Sequence, residues 1–462
     1  MQNSKENRVK SKTILSKGMF HRLFSDNLVL SPQLNEVYEL ALAYYESKIL
    51  TETELVQNGA YFARVGNQFT HHYLMCTGES VRLPQHSSSR LKSFFEKNQF
   101  RTGYASHGLF PYRGKFHPQM IKALINVMGL KPGDTVLDPM MGSGTVPVEA
   151  SLMGVESIGL DASPFCRFMS QVKYNALSLS IHPLDQALKN TENIFKLFSY
   201  ATDRSDSGNK KDKAYKKVAE IGILNFITGS GSSLVDQLAA LIGTDKSEVL
   251  DFLLLAYFDS VGYSERSKRK SPFALFQAIL ERYIFVVKKI QQVLQNSKSN
   301  IADSKILLGD ARAIKLEDQC IDGIIFSPPY SFAINYLEND AFHLNSMGVN
   351  MDQLKEKMVG LRGKTLKEKY KLYVEDMARI LSECARVLRP DCFCTIIIGT
   401  NDNQLSKALS IPKEQVKGLH KIIIDLASDY GLSPVRTLSR QISGMANTMR
   451  NEYIVILQRK DD

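Results

Sequence analysis

Tryptophan is absent from this chain, and cysteine is scarce and scattered. The six cysteines, at positions 76, 166, 320, 384, 392 and 394, form no Cys-x-x-Cys pair, so neither a zinc site nor a disulfide framework is predicted. No apolar run is long enough to span a membrane, and no signal peptide is recognisable at the N-terminus. We therefore expect a cytoplasmic protein.

Basic residues outnumber acidic ones. The 462 residues carry 58 Lys and Arg against 48 Asp and Glu, which gives a net charge of +10 and a pI near 9.1. The positive charge favours a polyanionic partner. Apolar residues make up 44% of the chain, so one large α/β domain with helical additions can be supported.

A glycine turn follows an apolar segment in the first half of the chain. Residues 135–145 read TVLDPMMGSGT, which predicts a buried strand, a turn and the start of a helix. Gly142 and Gly144 let the backbone approach a ligand closely, and the N-terminus of the following helix is partly positive. The turn lacks the lysine of a phosphate-binding loop and the glycine spacing of a dinucleotide fold. Asp138 instead favours a ligand that carries an ammonium group.

A second apolar segment, 323–326, ends in Ser327-Pro328-Pro329-Tyr330. Each proline fixes φ and removes a backbone donor, so the Pro328 carbonyl is left as an acceptor at the end of a predicted parallel strand. Ser327 and this carbonyl can accept the two hydrogens of an exocyclic amino group, while Tyr330 can stack on a base. A proline-rich turn without chemistry is the alternative interpretation.

These two segments together resemble the S-adenosylmethionine-dependent amino-group DNA methyltransferases. The Ser-Pro-Pro-Tyr form resembles the catalytic motif of their N4-cytosine branch, whereas Asp or Asn in the first position is more usual for N6-adenine enzymes. The turn resembles their cofactor loop Asp-Pro-Phe-x-Gly-Ser-Gly-Thr, with Met140 in place of Phe. The resemblance implies an α/β fold with a Rossmann-like, seven-stranded class I methyltransferase sheet, and S-adenosylmethionine as cofactor. The implied loop residues are Asp138, Pro139, Met140, Gly142, Ser143, Gly144 and Thr145.

Three further positions complete the implied cofactor site. Asp161 ends the next predicted strand, at the distance expected for binding ribose hydroxyls, and it is also a candidate cap of the helix that follows, since the two roles can coexist. Asp310 ends a third predicted strand, where the resemblance places an acid near the adenine amino group. Phe116 precedes a helical pattern and matches the family's Phe-containing stretch at the methionine end of the cofactor. Its neighbour His117 is interpreted as the residue that starts this helix.

The catalytic strand ends without a cysteine, so the C5-cytosine mechanism, which needs a cysteine nucleophile, is disfavoured. We predict direct methylation of an exocyclic amino group, with cytosine N4 ahead of adenine N6. Two further functions stay open. One is that of an RNA or tRNA methyltransferase, and the second is that of a catalytically silent nucleic-acid-binding subunit of a larger methylase.

The rest of the chain exceeds a minimal methyltransferase. We predict a helical and basic N-terminal region over 1–103, a cofactor-binding core over 104–178, a helical insertion over 179–302 and a catalytic core over 303–462. The last segment is expected to close the sheet with an antiparallel pair of strands. Target recognition is expected from residues 1 to about 100, where a DNA contact is one interpretation, from the insertion, from the loop over 331–371 or from a partner.

Clustered basic residues indicate where double-stranded DNA would lie. Between 355 and 371, seven Lys or Arg accompany two Glu and two glycines, which predicts a positive, hinged loop beside the active site. A second run lies between two apolar helical segments of the insertion, whereas Lys210–Lys217 is interpreted as a solvated face. A cognate restriction endonuclease or partner subunit is also possible. The predicted nucleic-acid contacts are Arg266, Lys268, Arg269, Lys270, Tyr336, Arg362 and Lys364.

Overall fold

The N-terminal region combines short helices with a small antiparallel sheet. The computed structural model describes residues 17–32, 34, 36–76, 103–112, 114–205, 232–267, 271–297, 300–329, 336–441 and 451–460. The first elements are α1 (Lys17–Leu23), β1 (Leu28–Leu30), α2 (Val37–Ile49), α3 (Glu52–Asn58), β2 (Phe62–Val65), β3 (Gln68–Phe69) and α4 (His71–Cys76). The expectation of a helical region is therefore incomplete, because three strands pair in the order β1-β2-β3. Strands this short give little period-2 alternation to detect.

A seven-stranded sheet forms the centre of the molecule. Its strands and the three helices next to them are α5 (Pro118–Val127), β4 (Thr135–Asp138), α6 (Thr145–Leu152), β5 (Glu156–Asp161), α7 (Pro164–Asn175), β6 (Ser304–Leu308), β7 (Ile321–Phe326), β8 (Leu388–Gly399), β9 (Leu432–Gln441) and β10 (Asn451–Arg459). The strand order is β6-β5-β4-β7-β8-β10-β9. Only β10 runs antiparallel to its neighbours. The predicted class I methyltransferase sheet and its antiparallel closing pair are confirmed.

Parallel pairing brings the functional segments to one edge of the sheet. Leu137 of β4 is in register with Ile324 of β7, and Asp161 of β5 is in register with Leu308 of β6. The carboxyl ends of these strands therefore lie side by side. Open α/β sheets bind ligands at this edge.

The two faces of the sheet are covered by different parts of the chain. Side chains alternate between the faces along each strand, so Ile325 of β7 packs with α5 and the N-terminal region, while Ile324 packs on the other face. Polar contacts also join the N-terminal region to α5. Asn126 Nδ2 donates to the buried Glu46 carboxylate over 2.6 Å, and Gln119 Nε2 donates to the Ala60 carbonyl over 2.8 Å. The described N-terminal elements thus pack against the core.

The described parts of the insertion are helical, as predicted. The insertion contains α8 (Ile181–Lys189), α9 (Thr191–Ser205), α10 (Ser232–Ile242), α11 (Ser247–Ser267) and α12 (Pro272–Ser297). Its apolar side chains form one continuous core with α7 and with residues 104–110. Among the helices in these described parts of the chain, none has the length and apolarity needed to cross a bilayer.

Helices alternate with the last strands of the sheet. They are α13 (Tyr336–Ser346), α14 (Met351–Lys357), α15 (Leu366–Val387), α16 (Asp402–Leu409) and α17 (Leu419–Ser428). The prediction of a hinged loop over 355–371 is correct only for its middle. Both ends of that segment are helical, because α14 continues to Lys357 and the Thr365 hydroxyl caps α15 by accepting the Glu368 amide over 3.2 Å. Gly360 and Gly363, which both have positive φ angles, lie among the eight residues between α14 and α15.

Candidate active site

A pocket opens at the carboxyl edge of the sheet, between β4, β5, β6 and β7. It brings together predicted cofactor and catalytic positions that are up to about 200 residues apart in sequence. The predicted residues that line the pocket are Phe116, Pro139, Met140, Gly142, Ser143, Asp161, Asp310, Ser327, Pro328 and Pro329. Asp138, Gly144 and Thr145 are predicted loop residues that are buried next to it.

The glycine turn has the backbone geometry that the sequence indicates. Gly142 and Gly144 have φ angles of 49° and 72°, which residues with a Cβ rarely adopt. A Cβ on Gly144 would also lie 2.8 Å from the Cβ of Ser170 on α7. The turn can therefore pack closely on α7 only because glycine occupies this position.

Asp138 ends β4 beneath this turn, and its side chain is fully buried. Its Oδ1 accepts the Met140 amide over 3.0 Å, whereas its Oδ2 has no hydrogen-bond partner among the described residues. Burial raises the pKa of this carboxyl well above its ordinary value. A buried acceptor without a partner is costly, which agrees with the predicted role of Asp138 next to a ligand that carries an ammonium group.

Asp161 ends β5 at the pocket wall. Its carboxylate accepts the Gly142 amide over 2.9 Å and the Ser163 amide over 2.8 Å, which ties the glycine turn to the next strand. Burial raises the pKa of Asp161 to about 6. The cap of α7 is Ser163, whose hydroxyl accepts the Cys166 amide over 3.4 Å. The expectation that Asp161 also caps this helix is therefore wrong, because Ser163 fills that role, and its role in ribose binding stays a prediction.

Asp310 follows β6 and belongs to an ionic network. The Arg312 guanidinium donates to Asp310 over 2.8 Å and to the buried Asp376 over 3.0 Å. Burial acts to raise the pKa of Asp310, but the hydrogen bonds from Arg312 outweigh it and hold that pKa below its ordinary value. Asp310 is therefore an ionised acceptor at the pocket wall. Arg362 also donates to Asp376, over 2.5 Å, so the network holds the segment after α14 beside the pocket.

Strand β7 ends at the same pocket, where Ser327 and Pro328 supply the two predicted acceptors. The half-buried Ser327 hydroxyl donates to the Pro328 carbonyl over 3.5 Å, so the two oxygens lie next to each other. Tyr330 lies outside the described residues, and its stacking role stays a prediction.

The predicted nucleic-acid contacts are only partly described. Lys364 is exposed, whereas Arg362 is engaged with Asp376. Lys357, Met358 and Val359 line the pocket, so the segment does lie beside it as expected. The other predicted contacts lie outside the described residues. This holds for Lys268, Arg269 and Lys270, and also for the run Lys210–Lys217. Arg266 and Tyr336 belong to described helices, but their side chains are not described.

Sequence reasoning missed several pocket residues that precede α5. Tyr112 lines the pocket and its hydroxyl lies 3.4 Å from the Cys166 sulfur. Lys115 also lines it, and its Nζ donates to the His107 carbonyl over 2.9 Å. Their position within the stretch FPYRGKFHP next to Phe116 was the signal that could have identified them.

A buried polar cluster holds this stretch in place. The Glu149 carboxylate on α6 accepts hydrogen bonds from Tyr104 Oη and His107 Nε2, each over 2.6 Å. Burial acts to raise the pKa of Glu149, but the His107 hydrogen bond and the nearby Lys122 outweigh it and keep the pKa low. Because α6 starts at the glycine turn, this contact links the turn to the segment that carries Lys115.

The strand order, the glycine turn and the acids at the ends of β4, β5 and β6 together define a class I methyltransferase that uses S-adenosylmethionine. The fit of the cofactor rests on the unpartnered Asp138 oxygen and on the glycine turn. We expect Asp138 to hold the ammonium group, Asp161 the ribose hydroxyls and Asp310 the adenine amino group.

Comparison with known proteins agrees with this class. Residues 109–215 match the family UPF0020, described as an RMKL-like methyltransferase domain. The chain is 25% identical to the type II methyltransferase M.MjaII of Methanocaldococcus jannaschii over 441 residues, covering 75% of this chain and 78% of that protein. It is 24% identical to the type II methyltransferase M.BsoBI of Geobacillus stearothermophilus over 300 residues, covering 58% and 57% of the two chains.

A relative with another substrate matches a shorter region. The tRNA (guanine(10)-N2)-dimethyltransferase of Methanothermobacter thermautotrophicus is 25% identical over 150 residues, which cover 30% of this chain and 44% of that protein. The matches together confirm the resemblance to the amino-group methyltransferases. The chain is an S-adenosylmethionine-dependent methyltransferase.

Proposed function

We propose that the protein methylates DNA at the exocyclic amino group of a flipped base, with cytosine N4 ahead of adenine N6. The observation that carries this proposal is that Ser327, Pro328 and Pro329 line the same pocket as the cofactor-loop residues. The likeness to two type II DNA methyltransferases supports DNA as the substrate. Preference for cytosine rests on serine at position 327.

The two acceptors at the end of β7 suit an amino group. The lone pair of an exocyclic amino nitrogen is delocalised into the ring, which makes it a poor nucleophile. When the Ser327 hydroxyl and the Pro328 carbonyl accept its two hydrogens, the nitrogen can turn its lone pair out of the ring plane. S-adenosylmethionine supplies an electrophilic methyl group when bound. The contribution of the protein is then mainly orientation of the two reacting groups.

The DNA backbone is proposed to run over the basic surface beside the pocket. Lys355, Lys364 and Lys367 are exposed in or next to the segment between α14 and α15. Flipping a base costs a few kcal/mol, and phosphate contacts beside the pocket help to hold the opened duplex. They also make affinity depend on salt.

A tRNA methyltransferase is the second candidate. Guanine N2, named for the relative from Methanothermobacter thermautotrophicus, is also an exocyclic amino group, so the same pair of acceptors would serve. That match spans less of this chain than the matches to M.MjaII and M.BsoBI, which favours DNA.

Mass spectrometry of digested nucleic acid tests the proposal. Purified protein is incubated with isotopically labelled S-adenosylmethionine and with duplex DNA or tRNA, and labelled nucleosides are identified. We expect N4-methylcytosine from DNA. Labelled N6-methyladenine would show that the target base is adenine and not cytosine. Labelled N2-methylguanine from tRNA would favour the second candidate. If 5-methylcytosine were the only labelled product, the proposed mechanism would be refuted. Cofactor binding without any labelled base would favour a silent subunit.

A matched pair of variants tests the role of the acceptors. Ser327→Ala should lower turnover much more than cofactor affinity, because it removes an acceptor for the base and leaves the glycine turn intact. Ser439→Ala, on the exposed surface of the edge strand β9, is the control and should leave both unchanged. Equal turnover in the two variants would remove Ser327 from the mechanism.

The DNA surface is tested by salt dependence. Replacing Lys355, Lys364 and Lys367 with glutamine should reduce the slope of log affinity against log salt, by about 0.9 for each phosphate that the variant no longer neutralises. A control variant replaces three exposed lysines on or near α16 and α17, from which no pocket-lining residue comes. If the control variant reduced the salt slope as much as the first variant does, the DNA would have to lie elsewhere. The control residues are Lys407, Lys413 and Lys421.

A further inference from the structure

The helix that follows the predicted catalytic motif packs on the insertion. Helix α13 begins at Tyr336, six residues after Tyr330. Its apolar side chains Leu337, Leu344 and Met347 are buried in the hydrophobic core that the insertion shares with α7. The first described element after the end of β7 is therefore secured by the insertion.

His343 is a buried residue of α13 within this contact. Its ring stacks on Phe165 of α7, with 4.6 Å between the ring centroids and 14° between the planes. The rings of Phe110 and Phe258 lie 5.2 Å and 5.6 Å away. Gly262 of α11 also approaches the ring closely, because a Cβ at this position would lie 2.6 Å from Cε1 and 2.9 Å from Nε2 of His343. We call Phe110, Phe165, Phe258 and Gly262 the His343 socket.

Two helices of the insertion build this socket. Phe258 and Gly262 belong to α11, and Phe110 is held by α12, because its amide donates to Tyr283 Oη over 2.7 Å. Tyr283 in turn donates to the buried Asp259 over 3.1 Å. The φ angle of Phe110 is 51°, which a bulky residue rarely adopts. Such a conformation persists only where the surrounding structure holds it, so the insertion keeps the socket in shape.

We propose that the insertion positions the catalytic segment Ser327–Tyr330 by seating His343, which makes His343 and Gly262 positioning residues for methyl transfer. The inference rests on the proposed function, because it takes Ser327 and the Pro328 carbonyl as the acceptors of the target amino group. The chain between these acceptors and α13 is then fixed at both ends, by β7 and by the socket. Methyl transfer depends on orientation, and a misplacement of about 1 Å can lower the rate about 100-fold.

Gly262→Ala tests the socket from the side of the insertion. Alanine in a helix interior normally stabilises a protein relative to glycine. Here the added Cβ meets the His343 ring, and because carbon atoms pack at about 3.5–4.0 Å, the ring must move by about 1 Å. We therefore expect the melting temperature of Gly262→Ala to be lower than that of the wild type. A higher melting temperature would show that the ring is not confined, and would refute the inference.

Turnover separates positioning from a loss of stability. At a temperature well below melting, kcat of Gly262→Ala should fall roughly 10- to 100-fold. Its affinities for S-adenosylhomocysteine and for DNA should stay unchanged, because the variant leaves the glycine turn and the basic segment in place. Glu265→Ala, at an exposed position of the same helix, is the control and should keep the wild-type kcat. An unchanged kcat in Gly262→Ala, or an equal loss in the control, would contradict the positioning role.

A double-variant cycle tests whether His343 is the partner of Gly262. His343→Ala removes the ring and should itself lower kcat. In that background the alanine at position 262 meets no ring, so adding Gly262→Ala should lower neither kcat nor the melting temperature any further. If Gly262→Ala had the same effect in both backgrounds, the inference about His343 would be overturned.

Hydrogen exchange tests the seating of α13 without any substrate. Gly262→Ala should speed exchange of the α13 amides, whereas Glu265→Ala should exchange like the wild type. This measurement also decides the case if His343→Ala does not fold. If the wild type methylates neither DNA nor tRNA, the proposed function fails, while faster α13 exchange in Gly262→Ala would still support the seating of this helix by the insertion. Unchanged α13 exchange would overturn the inference whether or not the proposed function holds.

Discussion

Replacing Asp161 with asparagine should stabilise the ligand-free protein while weakening its affinity for the cofactor. Burial raises the pKa of Asp161 from 3.8 to about 6. A group with a raised folded pKa contributes its full stability below its unfolded pKa and loses it as the pH rises through the folded pKa. Above about pH 6, the ionised carboxylate therefore costs folding free energy that an uncharged side chain avoids.

The magnitude follows from linkage. The shift in the Asp161 pKa corresponds to roughly 3 kcal/mol of folding free energy at pH 8 and to about half of that at pH 5. These are upper values, because Asp161 is partly exposed to the pocket. Asparagine also has a single oxygen to accept the amides of Gly142 and Ser163. We expect a net stabilisation of about 1–2 kcal/mol at pH 8 that shrinks towards pH 5.

Urea unfolding at the two pH values measures this effect, and thermal melting with S-adenosylhomocysteine measures the weaker ligand binding. The ligand should raise the melting temperature of the wild type more than that of Asp161→Asn, because we propose that Asp161 accepts the ribose hydroxyls and the variant has one acceptor fewer. Asp245→Asn, at an exposed position, controls for the general effect of removing a negative charge. A variant that is no more stable at pH 8, or a gain that is independent of pH, would refute the reasoning.

Three other substitutions test contacts around the pocket. Gly144→Ala should destabilise the protein by about 1–3 kcal/mol in thermal melts, because it combines a left-handed φ with a clash against Ser170. Asp376→Asn should cost about 3 kcal/mol, since it removes the buried negative charge that Arg312 and Arg362 share; an unchanged urea midpoint would contradict this. Glu149→Gln should cost about 2 kcal/mol and speed hydrogen exchange of the segment around His107, whereas unchanged exchange would show that other contacts hold it.

The parts of the site that lie within one short segment were predictable from the sequence. The glycine turn with Asp138 carries its own pattern, because the glycines that shape the turn and the acid that we propose for the ligand's ammonium group are neighbours in the sequence. The same holds for Ser327 and the two prolines after it. The resemblance then supplied the sheet that brings both segments to one edge, and the strand order agrees with it.

Contacts between distant segments were not predictable in this way. Arg312 and Arg362 share Asp376 across 64 and 14 residues, and no local pattern marks an arginine as part of a network. The basic segment 355–371 reads as a loop by composition, yet helix capping at Thr365 makes its second half helical. The role of the segment 355–371 in DNA binding stays a prediction.

The adjacency of β5 and β6 has a consequence for how the protein is made. These strands pair directly, with Ser157 opposite Ser304, although the whole insertion separates them in sequence. Closing so long a loop costs little more entropy than closing a short one, since each doubling adds only about 0.6 kcal/mol. However, a ribosome must first synthesise the insertion before Asp310 and Ser327 can join Asp161. A nascent chain should therefore acquire its cofactor only late in translation, when the helical layer is already available to fold.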